Sequence, residues 1–192
     1  MKKALVTLVC LIIMGGIMAQ EEHLSFKGVP INGTLKQYTA AMVKAGFKSE
    51  GSQDGLSLLS GDFAGFKDCI VGVSTVKNCD VVNRIAVLFP EKENWAALMG
   101  DYEHLKDLLT EKYGEPSANV ERFTNYHGND NSLKIYAVND GEAEWYTIFS
   151  TDLGDIELTL VGGTVGYKAC VRLTYWDAKN SSTVRQNALD DL

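Results

Sequence analysis

The side chains that could do acid–base or nucleophilic chemistry are few and far apart in this sequence. It contains three histidines, His23, His104 and His127. His127 stands with Tyr126 and Asp130 in an Asn- and Gly-rich stretch, a composition typical of a solvated loop. No G-x-S-x-G motif occurs, and no motif marks a serine or cysteine as an activated nucleophile. The sequence therefore predicts no catalytic residue, and we expect the protein not to be an enzyme.

Metal and cofactor sites have equally little support. Residues 125–131 offer asparagine and aspartate oxygens, which calcium prefers, but the spacing of a calcium-binding loop is absent and the same residue types form turns. Neither a Cys-x-x-Cys pair nor a cysteine–histidine pair at zinc-ligand spacing occurs. The glycines match no nucleotide-binding motif. We therefore expect no metal ion and no cofactor.

The N-terminal residues 1–19 have the layout of a secretory signal peptide. Met1–Lys3 is basic, Ala4–Ile13 is an uncharged apolar run too short to anchor in a bilayer, and Ala19 is a small residue suited to cleavage. Cleavage after Ala19 and cleavage after Gln20 are both consistent with this pattern. We expect an exported product without a transmembrane segment, located in the periplasm or outside the cell.

Composition and charge exclude one class of partner. The sequence is 45% hydrophobic and 22% charged, as in ordinary globular domains. Its 18 Lys and Arg against 25 Asp and Glu give a net charge of −7, and the cations are not clustered. Because binding to a polyphosphate requires clustered cations, we expect no nucleic-acid partner.

Three cysteines lie outside the signal peptide: Cys69, Cys79 and Cys170. Residues 69–76 and 81–89 resemble the two arms of a hairpin, which places Cys79 at its tip and Cys69 at its far end. At about 3.3 Å per strand residue, their separation exceeds the reach of a disulfide. A Cys69–Cys170 bond stays open, as does the alternative of two buried thiols.

Hydrophobic periodicity predicts two helices, each followed by strands. The first helix covers 35–45, with Thr34 as its cap and Gly46 at its end, and the second covers 93–113 and stops at Gly114. The predicted strands of the first half are 56–63, 68–76 and 81–89, and those of the second half are 118–124, 133–138, 144–151, 155–162 and 168–176.

The two halves resemble each other in sequence as well as in order. Leu58–Gly65 is similar to Ile148–Asp155, and Asn83–Pro90 is similar to Val171–Asp177. We interpret residues 20–192 as one α+β domain with repeats at about 24–90 and 91–177 and a tail at 178–192. Both repeats should share one antiparallel sheet with both helices on one face, since each is too small to bury a core alone. Chance similarity between amphipathic strands is the alternative.

The pattern of a helix followed by a meander, present twice in 24–177, resembles the β-lactamase-inhibitor-protein class, a fold also seen as single copies in small envelope-assembly lipoproteins. The segment Phe26–Phe47, with its Phe-Lys-Gly-Val-Pro-Ile-Asn-Gly opening, also resembles uncharacterised exported bacterial proteins. The resemblance implies a tendency to bind other macromolecules without doing chemistry. It transfers no functional residue, and fold analogy alone is a weak argument for function.

Alternation along the C-terminal strands predicts an uncovered sheet face with a composition suited to binding. Tryptophan and arginine are enriched in binding hot spots, and a mixed set of such side chains should share this face. The candidate partner-binding residues are Trp145, Glu157, Thr159, Arg172, Thr174 and Trp176. The alternatives are a simply solvated face and a tryptophan covered by the tail.

These features of the sequence are consistent with two alternative functions. The first is an exported, non-catalytic interaction module of the bacterial cell envelope whose partner is a protein or an envelope component. The second is a carrier for a small molecule or lipid, with a pocket between the helices and the sheet. The strand alternation favours the first, because it turns apolar side chains inward and leaves polar groups outside.

Overall fold

The computed structural model describes residues 22–76, 79–124 and 130–190. The predicted signal peptide at 1–19 and the cluster of Tyr126 and His127 lie outside these ranges. The elements in chain order are β1 (Ser25–Phe26), β2 (Val29–Pro30), α1 (Leu35–Lys44), β3 (Lys48–Gln53), β4 (Leu56–Phe63), β5 (Phe66–Thr75), β6 (Val82–Leu88), α2 (Trp95–Tyr113), β7 (Ala118–Phe123), α3 (Asn131–Asn139), β8 (Ala143–Thr151), β9 (Gly154–Gly162), β10 (Ala169–Asp177) and α4 (Ala178–Asp190).

Eight strands form one antiparallel sheet in the order β3-β4-β5-β6-β10-β9-β8-β7, and β1 and β2 form a separate hairpin. The last strands of the two halves, β6 and β10, pair at its centre, with Val87 opposite Leu173 and Ile85 opposite Tyr175. The prediction of an α+β fold with one large antiparallel sheet is confirmed.

Helices α1 and α2 pack on one face of this sheet because their apolar stripes match its inward-facing residues. Tyr38 and Met42 of α1 belong to the same buried cluster as Val71 of β5 and Leu173 of β10. The Tyr102 hydroxyl of α2 lies 2.7 Å from the Thr147 hydroxyl of β8. Thr147 donates its own proton to Asn119 Oδ1, 2.6 Å away, so Tyr102 is the donor in the first bond.

The caps that the sequence predicts for both helices are present. Thr34 accepts the Gln37 backbone N–H and the Gln37 side chain accepts the Thr34 N–H, which together form a capping box. At the far end of α2, Gly114 has φ +85°, a conformation that glycine adopts without steric cost.

The prediction of a strand at 133–138 is wrong, because this segment lies within helix α3 (Asn131–Asn139). Leu133, Ile135 and Ala137 alternate in sequence like a strand, but the buried pair Ile135 and Val138 has the three-residue spacing of a helix face. The Asn139 side chain fixes the C-terminal turn by donating 2.8 Å hydrogen bonds to the carbonyls of Ile135 and Lys168.

Two further elements have no hydrophobic pattern in the sequence. Strand β3 is an edge strand whose residues are all exposed, so no alternation marks it. The predicted tail at 178–192 contains helix α4, which starts at Ala178 immediately after β10. Within the described residues, no helix is both long enough and apolar enough to cross a bilayer.

Helix α4 and the N-terminal segment are held together by one buried carboxylate. Asp177, which is fully buried, accepts the Asn180 N–H at 2.8 Å as the helix cap and the Leu24 N–H at 3.0 Å. His23 Nδ1 lies 3.1 Å from the same carboxylate. The Asn180 side chain in turn donates to the Ile31 and Val82 carbonyls, each at 2.9 Å.

The three described cysteines are free. By strand alternation, Cys69 points to the helix-covered face with Val71, whereas Cys170, three residues before Leu173, points to the opposite face. A Cys69–Cys170 disulfide would therefore have to pass through the sheet. Burial raises the pKa of each of these two thiols to about 11.

We expect the native protein, expressed without residues 1–19, to react with one equivalent of a thiol reagent at pH 8. Only Cys79 is partly exposed, and the buried thiols hold almost no thiolate below their raised pKa. Titration with Ellman's reagent at pH 8 should show one fast thiol in buffer and three in denaturant, because denaturant removes the burial that raises the pKa of the other two. Three fast thiols in the native state would contradict this packing.

Candidate functional site

Five of the six predicted binding residues lie together on the sheet face opposite helices α1 and α2, which we call the open face. Glu157 and Thr159 of β9 face Thr174 and Arg172 of β10 in register. Trp176 continues the row along β10. The strand alternation predicted from the sequence therefore brings these five side chains to one face.

Trp145 does not belong to this group. It lies on the helix-covered face, two residues before the buried Thr147, and packs at 5.3 Å centroid distance against Trp95 of α2 and at 4.8 Å against Phe123. The prediction that it joins the other five on one face is wrong. Strand β8 pairs with β9 so that Tyr146 lies opposite Thr159, which puts Tyr146 on the open face and Trp145 on the other. This register depends on the neighbouring strand, and the sequence of β8 alone does not determine it.

Two arginines give the centre of the open face its charge. Arg84 of β6 stacks over the Trp176 ring, 5.0 Å from its centroid, and donates to the Ser74 hydroxyl at 3.1 Å. Arg172 lies 3.5 Å from the Glu157 carboxylate, and its buried Nε has no hydrogen-bond partner among the described residues. The guanidinium of Arg172 therefore keeps hydrogen-bonding capacity that the chain itself does not use.

The open face also carries an apolar patch that sequence reasoning missed. Its four members are large side chains on β4, β5 and β6, each between 38% and 43% exposed: Leu56, Leu58, Ile70 and Leu88. Between them lie Gly72 and Ala86, which are paired in register. Because these two residues are small, the centre of the patch is a slight depression. A Cβ at Gly72 would lie 3.7 Å from Leu56 Cδ1 and 4.0 Å from Leu58 Cδ2, which shows that the two leucines lean over it.

The apolar patch and the arginine–tryptophan row form one continuous surface because β6 and β10 are neighbours. Leu88 faces Arg172, Ala86 faces Thr174, and Arg84 faces Trp176. A signal for this surface was present in the sequence, since β4 has apolar residues at Leu56, Leu58 and Leu59, on both faces of the strand. Such a strand is expected only where both faces are covered.

The edge of the open face at β3 is charged and internally paired. Glu50 accepts the Ser60 hydroxyl at 2.6 Å and the Lys48 ammonium at 3.0 Å. These hydrogen bonds, that of Ser60 first, lower the pKa of Glu50. The edge is thereby kept polar beside the apolar patch.

The remaining chemistry-bearing side chains do not converge. His104 is exposed on α2, and His23 contacts Asp177 at the end of β10. Among residues 22–76, 79–124 and 130–190, no group of three or more His, Cys, Asp or Glu side chains is arranged to hold a metal ion.

Comparison with known proteins gives no relative from which a role of the open face could be inferred. No family model matches the chain. No curated protein and no solved structure matches it either, so no enzyme family is found for it.

Proposed function

We propose that this protein is an exported interaction module that binds a partner protein through the open face of its sheet. The observation that supports this most strongly is the apolar patch, where four large aliphatic side chains lie exposed beside the stacked Arg84–Trp176 pair. Contiguous exposed apolar surface of this kind is characteristic of protein-binding sites.

The composition of the surface matches the anatomy of a protein interface. Leu58 and Ile70 provide an apolar centre, and Trp176 and Arg172 are of the residue types that contribute most to binding energy. Gly72 and Ala86 have small side chains or none, so the centre of the patch is a slight depression. A side chain of the partner placed there would contact Leu56 and Leu58, which lean over Gly72. Burial of the apolar patch would supply about 25 cal/mol for each Å² removed from water.

The charges indicate the chemistry of the partner. Arg84 forms no ion pair within the described residues, and Arg172, whose side chain is 40% exposed, has only a 3.5 Å contact with Glu157 among them. We infer a partner that presents an apolar group to the patch and a carboxylate to these arginines. A carboxylate can accept two guanidinium N–H groups at once, which fixes the orientation of the partner.

We further propose that the domain arose as a tandem repeat related to the helix-plus-meander class. One half of the sheet consists of β3 to β6 and the other of β7 to β10, each counted from its edge to the centre. Each half therefore supplies four antiparallel strands that neighbour each other in chain order after its helix, and α3 is inserted between β7 and β8 of the second half. The two similar sequence pairs also occupy equivalent places: Leu58–Gly65 and Ile148–Asp155 lie in the second strands and their turns, and Asn83–Pro90 and Val171–Asp177 in the fourth.

Affinity capture from the native host tests the proposed function. The signal-free protein is immobilised as wild type, as the double variant Leu58→Lys/Ile70→Lys, and as Val43→Lys, which changes a 47% exposed residue of α1. We expect a protein that is retained by wild type and Val43→Lys and lost from the double variant. Retention of the same proteins by all three would contradict the proposal, and capture of the chain itself would identify a homodimer instead.

A further inference from the structure

A second candidate site lies on the helix-covered side of the sheet. A cavity of about 490 Å³ opens between the β1–β2 hairpin, the last turn of α2 and the turn that joins β8 to β9. Its volume falls in the range of small-molecule sites. Because it faces away from the open face, it is independent of the proposed protein-binding surface.

The inner wall of this cavity is apolar and rigid. Leu24 and Tyr175, each 4% exposed, belong to the core, and Phe63 and Leu153 pack against it. Burial raises the pKa of Tyr175, and the neighbouring Tyr113 hydroxyl raises it further. The Tyr175 phenol therefore stays protonated, and its hydrogen bond with Tyr113 leaves one hydroxyl proton of the pair to donate into the cavity.

Among the residues that the structure describes, the charged side chains that line the cavity are those of Lys27 and Lys112, and no aspartate or glutamate lines it. Neither lysine forms an ion pair in the part of the chain that the structure describes. Lys112 Nζ lies 4.8 Å from the centroid of the Tyr113 ring, which holds this ammonium beside the cavity. The nearest carboxylate that interacts with Lys27 is that of Asp62, which does not line the cavity and is hydrogen-bonded to Lys67. In a chain of net charge −7, the lining of this cavity is therefore locally cationic.

Lys27 is held at the rim by a backbone conformation that costs free energy. It has φ +52° and precedes Gly28, φ +75°, in the turn of the β1–β2 hairpin. An L-residue in the left-handed region is less favourable than glycine, and Asn is the residue usually found there. The hairpin is nevertheless fixed, because the adjacent Phe26 is 1% exposed and contacts the rings of Phe63 and Tyr175.

We propose that this cavity binds an amphiphilic carboxylate, with its apolar body against Leu24, Phe63 and Leu153 and its anionic head at Lys27 and Lys112. The apolar wall accepts a hydrocarbon chain or ring, and the two ammonium groups select an anion over a neutral molecule of the same shape. The Tyr113–Tyr175 pair supplies one further donor to the head.

Isothermal titration of the full signal-free protein with monomeric dodecanoate, at low salt, tests this inference. We expect one binding site, and at least about tenfold weaker binding both for dodecanol and for the variant Lys27→Gln/Lys112→Gln, because two charge–charge interactions are lost. Both lysines are exposed, so the variant should fold normally. Raising the salt concentration should weaken the binding of dodecanoate but not of dodecanol.

The matched control is Lys44→Gln, which removes an exposed lysine of α1 that lies outside the cavity. Binding to Lys44→Gln should equal that of wild type. The proposal is overturned if dodecanoate does not bind, if the double variant binds as tightly as wild type, or if both variants lose affinity equally. It is likewise overturned if only phosphatidylglycerol vesicles bind. The open-face variant Leu58→Lys/Ile70→Lys should bind dodecanoate like wild type whether or not a partner protein exists.

Discussion

Replacing Asp177 with alanine should lower the free energy of unfolding by about 3–5 kcal/mol, the largest stability effect we expect from a single polar residue. Asp177 is fully buried and accepts the backbone N–H groups of Leu24 and Asn180. Alanine would leave both donors buried without an acceptor, at about 1–3 kcal/mol each, and would remove the cap of α4. It would also leave His23 without its partner.

Urea denaturation followed by tryptophan fluorescence measures this change. The matched control is Asp152→Ala, an exposed aspartate in the β8–β9 turn, which should shift stability by less than about 0.5 kcal/mol. Hydrogen exchange should show faster exchange at the amides of Leu24 and Asn180 in Asp177→Ala. A loss below about 1 kcal/mol would show that the junction of the N-terminal segment, β10 and α4 does not depend on this carboxylate.

The second large effect concerns affinity for the captured partner. Each of Leu58→Lys and Ile70→Lys should weaken binding at least about 100-fold, since each places an ammonium group at the centre of a desolvated interface. Trp176→Ala should cost about tenfold to 100-fold, because it removes the ring over which Arg84 is held. Surface plasmon resonance at matched protein concentrations measures these differences.

The control for this series is Val43→Lys, which adds the same charge on α1 and should leave affinity unchanged. The side chains of Leu58 and Ile70 are 43% and 40% exposed, so their substitution should not reduce the stability of the fold much. Equal affinity of Leu58→Lys and wild type would exclude the apolar patch from the interface. Loss of affinity in Val43→Lys would instead place the partner on the helices.

The sequence was sufficient to predict the elements that depend on residues close together in the chain. The capping residue Thr34 marks the start of α1, the terminating Gly114 marks the end of α2, and the alternation around 68–89 marks the β5–β6 hairpin. These features depend on contacts between neighbours in the chain, which is why the sequence shows them.

Features set by tertiary pairing were not predictable in the same way. Helix α4 lacks an apolar stripe and depends on Asp177 and on the contacts of Asn180 with Ile31 and Val82. The side to which Trp145 points depends on the register between β8 and β9. The apolar patch was not predicted because β4 carries leucine on both faces, so residue type alone does not tell the exposed Leu56 and Leu58 from the buried Leu59.

The central claim is that the open face of the sheet meets a partner protein, and in-cell photocrosslinking tests it most directly. p-Benzoylphenylalanine is placed at Ile70 on the open face, or at Leu108, which is 41% exposed on α2, and the full chain is irradiated in its native host. We predict a discrete adduct with one protein from Ile70, and none from Leu108. Irradiation that yields no adduct at Ile70, or the same adducts from both positions, would contradict the claim.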